Sequence, residues 1–152
     1  MTAGEYCNRE VIITRQNVSV TEAAMLMRQH HVGDLVVVEN QGEKTLPIGI
    51  ITDRDIVVEV IAKKTDPDSL IIKDIMSTGL ITVDEKAALL DTLALMQSQG
   101  VRRIIVVDAQ GSLQGLLSAD DAIELIAEAM NNLTKLVKRE ITREEKEHSQ
   151  RI

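Results

Sequence analysis

Gly49-Ile50-Ile51-Thr52-Asp53-Arg54-Asp55 and Gly115-Leu116-Leu117-Ser118-Ala119-Asp120-Asp121 are two copies of one pattern. Each runs glycine, two aliphatic residues, a hydroxyl residue, two variable positions and an aspartate. In each, a short apolar run passes into a segment with helical spacing, so a strand is expected to feed a helix. A hydroxyl residue followed three positions later by a carboxylate caps a helix start. The hydroxyl accepts one orphan backbone N–H and the carboxylate accepts another. The same two groups suit a vicinal diol, because a carboxylate accepts from both hydroxyls of a ribose and a helix N-terminus favours a nearby anion. Capping is the stronger reading of either copy alone; the two roles are compatible, and duplication in register strengthens the second.

The duplication extends outward from these copies. Residues 7–39 overlay residues 76–108 at a shift of 69, with Met27 on Met96, Val32 on Val101 and Val37-Val38 on Val106-Val107. The first turn is three residues longer than the second, so the shift becomes 66 and Asp55 falls on Asp121. Each half reads as strand, helix, strand, strand, helix. In the first half the expected strands are 11–14, 35–39 and 48–51. The first helix starts at the capping pattern Ser19…Glu22 and ends near His31; the second covers 53–63 with Ile56, Val57, Val60 and Ile61 on one face. The continuous apolar run 35–38 predicts a strand buried on both faces. The Asp66-Pro67 step closes the half. In the second half the strands are 80–83, 104–108 and 113–117, with helices at 89–99 and from 119. That last helix carries its apolar stripe past the repeat, through Leu133, Leu136 and Val137. Asn131-Asn132 marks an expected break, and residues 140–152 read as a frayed, charged tail. The divisions are 1–67, 68–130 and an extension 131–152.

Composition narrows function. The chain has 152 residues, a formal charge of −7, one tyrosine, and no phenylalanine or tryptophan. Single-stranded nucleic acid is bound on aromatic stacking platforms, which are absent, and an acidic chain suits neither a phosphate backbone nor an anionic membrane. No apolar run is long enough to span a bilayer. Cys7 is the only cysteine, so an intrachain disulfide and a CxxC metal site are excluded. A cytoplasmic location is the expectation. His30-His31 closes a helix without further metal-ligating partners, and no metal site is expected. Cys7 has no partner base that would make it a nucleophile.

The ordered motifs resemble a tandem pair of CBS domains, the module named after cystathionine β-synthase. The resemblance rests on residues 49–56 (GIITDRDI), 73–76 (KDIM), 101–108 (VRRIIVVD) and 115–121 (GLLSADD), and it covers roughly residues 5–130. It implies an α/β (α+β) fold of two repeats packed by pseudo-two-fold symmetry. It further implies a non-catalytic regulatory module whose ligand lies between the repeats: AMP, ADP or ATP, or else NAD or S-adenosylmethionine. No cofactor is required. By the same resemblance Thr52 and Asp55 hold one ribose, with adenine near Met76, Ile81 and Val101. Ser118 and Asp121 hold another, with adenine near Ile12, Val32 and Gly33. For these apolar residues ordinary core packing is the competing role.

Phosphates need cations, and guanidinium forks suit them. Arg54, Arg102 and Arg103 are the candidates, with a solvated face as the alternative. In the opposite copy Asp120 stands where Arg54 would, and Gly33-Asp34 where Arg102-Arg103 would. The Thr52/Asp55 site is therefore the expected phosphate site. Family members pair through the outward helices, so a homodimer is expected, acting on an unknown protein target. The alternative is a structural or interaction protein with this fold and no ligand; an enzyme lacks support from any nucleophile–base pair or metal cluster.

Overall fold

The computed structural model describes residues 1–151, which divide into a unit Met1–Ser118 and a second beginning at Ala119. The first unit runs α1 (Ala3–Tyr6), β1 (Ile13–Thr14), α2 (Val20–His30), β2 (Asp34–Gln41), β3 (Lys44–Thr52), α3 (Asp53–Ile56, prolonged by a π turn Val57–Ile61), α4 (Ile72–Ile75), β4 (Thr82–Asp84), α5 (Leu89–Gln99), β5 (Arg103–Val107) and β6 (Leu113–Ser118). A 3₁₀ turn, Pro67–Ser69, precedes α4. Two three-stranded sheets form, ordered β1-β2-β3 and β4-β5-β6. In each, the first pair is parallel across its helix and the second is an antiparallel hairpin.

The central strands are buried on both faces, as their unbroken apolar runs require. Leu35 and Val37 join Ala23, Met27, Ile51 and Ile72 in the core of the first repeat. Val36 and Val38 point the other way and meet Ile105 and Leu116 of the second repeat. The two sheets thus share an aliphatic seam. Both hairpins slip register at the same pseudo-symmetric step, Val37/Val38 and Val106/Val107.

Two short helices were not anticipated from the sequence. They act as clasps, and they are exchanged between the repeats. Ala3 and Gly4 N–H donate to Ala87 and Glu85 carbonyls at 2.8 Å, which docks α1 on the second repeat. Ile72 and Lys73 N–H donate to Val18 and Gln16 carbonyls at 2.8 and 2.9 Å, which docks α4 on the first. Each clasp ends in an antiparallel bridge, Asn8 with Leu116 and Ser77 with Ile50. Glycines make the approach possible. A Cβ on Gly49 would sit 2.6 Å from Met76 Sδ, and one on Gly115 would overlap Cys7 Sγ and lie 2.7 Å from the Asn8 carbonyl oxygen.

Some local expectations change. Glu22 N–H donates to Ser19 Oγ at 3.1 Å, but Ser19 pairs its own backbone with Ile71, so one arm of the expected capping box forms. The strand expected at 11–14 shortens to two residues. In the π turn, where Ala62 N–H donates to Val57 O at 2.9 Å, Val60 is buried and Ile56 packs on the core. Val57, Val58 and Ile61 form the outward apolar surface instead.

The second unit is one helix, α6 (Ala119–Ser149), which is continuous through Asn131-Asn132 and through the charged stretch expected to fray. Asparagine costs a helix only a fraction of a kcal/mol, and the Glu, Lys and Arg that follow are strong helix formers. Arg143 Nε donates to Glu147 Oε1 at 3.0 Å one turn on. Ile123, Ile126, Met130, Leu133 and Val137 are exposed along it. Among the described residues no helix is long and apolar enough to cross a membrane.

Candidate functional site

Thr52 ends β3 with extended backbone and caps α3. Its Oγ1 accepts the Asp55 N–H at 3.1 Å, and its own N–H donates to Asp55 Oδ2 at 2.8 Å. The capping reading of the motif is therefore realised at this copy. The cap uses only one carboxylate oxygen, Oδ2, and leaves the Thr52 hydroxyl proton to donate elsewhere. Both residues are half-buried, while Arg54 between them is exposed. Asp53 turns its carboxylate toward Gly33, where a Cβ would lie 3.1 Å from Oδ2, and its N–H donates to the Gly33 carbonyl at 2.9 Å.

The apolar candidates are distributed as follows. Met76 ends α4 beside Gly49, and Met76, Ile12 and Val32 all pack half-buried against the first-repeat core that also receives Ile56. These three thus share one core, and Gly33 meets the Thr52 cap through the Asp53 N–H. Ile81 and Val101 lie in the second repeat: the Ile81 carbonyl accepts from Ile105 N–H at 3.3 Å, and Val101 N–H donates to Met96 O at 3.0 Å. The half-buried side chains of both fit the packing role. Ser118 ends β6 in the first unit, and Asp121 lies in the first turn of α6 in the second. Arg102 is exposed just before β5.

Arg103 shows the arrangement that the sequence reading missed. Its Nε donates to Asp34 Oδ2 at 2.6 Å. Asp34 opens β2 opposite Thr52, and Arg103 opens β5 opposite Ser118. Thr52, Asp34, Arg103 and Ser118 therefore follow one another across the junction of the repeats. The repeat overlay held the signal, since Asp34 and Arg103 occupy equivalent positions with opposite charge. Around Cys7, burial pushes the thiol's pKa up, partly offset by the Arg9 guanidinium. Among the described residues no group of three or more His, Cys, Asp or Glu side chains could hold a metal ion.

Comparison with known proteins places this geometry in a family. The CBS domain model matches residues 3–62 and 72–128. An uncharacterized protein of Methanopyrus kandleri is 38% identical over 125 residues, covering 82% of this chain; the chain spans 62% of that relative's length. A CBS domain protein of Pyrobaculum aerophilum, solved in complex with AMP, superposes with a TM-score of 0.70 at 23% identity, over 80% of this chain and 89% of that one. Another CBS domain pair, solved with methylthioadenosine and S-adenosyl-L-methionine, gives 0.72 at 22% identity, over 85% and 98%. At these identities the likeness carries the fold alone. With both repeats matched and their tandem architecture shared, the chain belongs to the CBS domain family.

Proposed function

We propose that this chain is a non-catalytic regulatory module that binds an adenosine-containing ligand in the cleft between its two CBS repeats, in the cytoplasm. The reciprocal Thr52–Asp55 cap carries the reading. It fixes a hydroxyl and a carboxylate rigidly at a helix start while using only one carboxylate oxygen. Asp55 Oδ1 then accepts from ribose hydroxyls and Thr52 Oγ1 donates to one. Met76, Ile81 and Val101 receive the adenine of this copy, Ile12, Val32 and Gly33 that of the other, and Arg54, Arg102 and Arg103 face any phosphate. By the repeat overlay Ser118 and Asp121 correspond to Thr52 and Asp55, with Asp120 in place of Arg54. Family membership and the adenosyl ligands of the two solved neighbours support this reading.

Isothermal titration with adenosine, AMP, ADP, ATP, NAD and S-adenosylmethionine tests it. Micromolar or tighter binding of at least one is expected, with no release of phosphate from ATP. Heats indistinguishable from dilution for all six would leave a ligand-free interaction protein as the reading. The neutralised Arg103 favours that second reading.

The module pairs as a homodimer. Ile61 is 65% exposed and Ile123 64%, each on a helix with further exposed apolar residues, and a monomer seldom leaves large apolar patches in water. A two-fold pair is the commonest closed arrangement. Light scattering at micromolar concentration is expected to give twice the 16.8 kDa chain mass; the monomer mass would end this part of the proposal.

A further inference from the structure

We propose that Asp34 competes with a ligand's phosphate for Arg103 and so sets the charge preference of the site. The inference rests on the adenosyl-binding reading above and adds what that reading does not contain: a built-in anion at the phosphate end. Asp34 stands directly opposite Thr52 in the β2–β3 register, one strand from the ribose grip. Its side chain is 20% exposed and that of Arg103 38%, so the 2.6 Å pair between them is only partly screened by water. Arg103 was assigned by resemblance to phosphate, yet its Nε is already held by a carboxylate of this chain. A second carboxylate, Asp53, faces Gly33 on the preceding residue.

The consequence follows from charge alone. A neutral adenosine meets the ribose grip without disturbing the pair. A phosphate reaching Arg103 must either draw the guanidinium away from Asp34, leaving a half-buried carboxylate without its cation, or lie beside two carboxylates that offset what Arg54 and Arg102 contribute. The phosphate therefore adds little to the affinity of the wild-type protein. Removing the charge at position 34, while keeping an acceptor for Arg103 Nε, reverses this. A purely structural pair would affect adenosine and AMP alike; a competing anion affects only AMP.

The test is titration of adenosine and AMP into the wild type, Asp34→Asn and Asp34→Asn/Arg103→Gln, with Asp34→Ser as a second charge removal if the asparagine variant does not fold. Asp34→Asn is expected to leave adenosine affinity within about twofold and to tighten AMP on the order of fivefold, the range of a partly exposed ion pair. The double variant is expected to lose that gain. Unchanged or weaker AMP binding by Asp34→Asn, or equal changes for both ligands, overturns the proposal while adenosine binding keeps the adenosyl reading standing. Absence of binding by either ligand to every protein overturns this inference, and the six-ligand titration then decides the adenosyl reading by itself.

Discussion

Gly115→Ala tests whether the exchanged clasps hold the two repeats together. The added methyl would overlap Cys7 Sγ and stand 2.7 Å from the Asn8 carbonyl oxygen, well inside the 3.4 Å at which ordinary contact begins. The thiol is the end of a side chain and can rotate. The carbonyl cannot, because Leu116 N–H donates to it at 2.9 Å and Asn8 N–H returns the bond to Leu116 O at 2.8 Å. Overpacking costs about 1–3 kcal/mol, and losing the bridge adds about 0.5–1.5 kcal/mol for each hydrogen bond. We expect about 2–6 kcal/mol in total, read as a urea midpoint lowered by roughly 1–3 M. Gly49→Ala is the internal control. There the methyl meets Met76 Sδ at 2.6 Å, which is flexible, and Ser77 O at 3.1 Å, which needs only a small shift. Its cost should be about half as large. Cys7→Ala in the Gly115→Ala background should recover part of the loss and not all, since Asn8 O remains in place. A Gly115→Ala cost below about 0.5 kcal/mol, or one smaller than that of Gly49→Ala, would refute this account of the clasp.

Asp55→Ala removes both the cap and the candidate ribose acceptor, so adenosine affinity should fall about tenfold to a hundredfold, and by more than in Asp121→Ala; equal losses in titration contradict the ranking of the two copies. His31 ends α2 in left-handed backbone at φ 53°, where the equivalent Gly100 ends α5 at 65°. His31→Gly should therefore raise stability by about 0.5–1 kcal/mol in urea melts, and no gain would mean that the side chain holds the turn by contacts of its own. Cys7 should react with iodoacetamide at pH 8 more slowly in the folded protein than in urea, because burial disfavours its thiolate. The unfolded chain ionises first, so this group lowers stability as pH rises past about 8.5; equal alkylation rates would discount the burial.

Much of this architecture can be read from spacing. The unbroken run Leu35 to Val38 implies a strand with no solvent face, and its residues do alternate between the first-repeat core and the inter-repeat seam. The start and end of α5 at Leu89 and Gln99 follow from its apolar stripe and the glycine beyond it. The clasps are different. Residues 3–6 and 72–75 make single turns whose backbone bonds reach residues 85–87 and 16–18, and no local periodicity announces partners so distant in sequence. The continuity of α6 through residues 140–149 depends on helix propensity and turn-to-turn charge pairing, which outweigh the absence of an apolar stripe. At the site, Thr52 and Asp55 are legible because a cap is a local device. The Arg103 pairing is legible only through the repeat overlay, because its partner Asp34 opens a central strand of the other repeat that only the assembled sheets bring near.

The exchange of clasps means that neither repeat is complete on its own stretch of chain. If the linker after Lys64 were cut and the halves made separately, each would carry the clasp that the other needs. Two copies of one half could close reciprocally, as a dimer of single repeats would, but with like charges on the dyad: Asp34 facing Asp34, or Arg103 facing Arg103. Mixed halves bring Asp34 to Arg103 and satisfy both. One charge on each side of the junction thus favours the unlike pair, and a mixture of the two fragments is expected to yield more mixed than like pairs by native mass spectrometry.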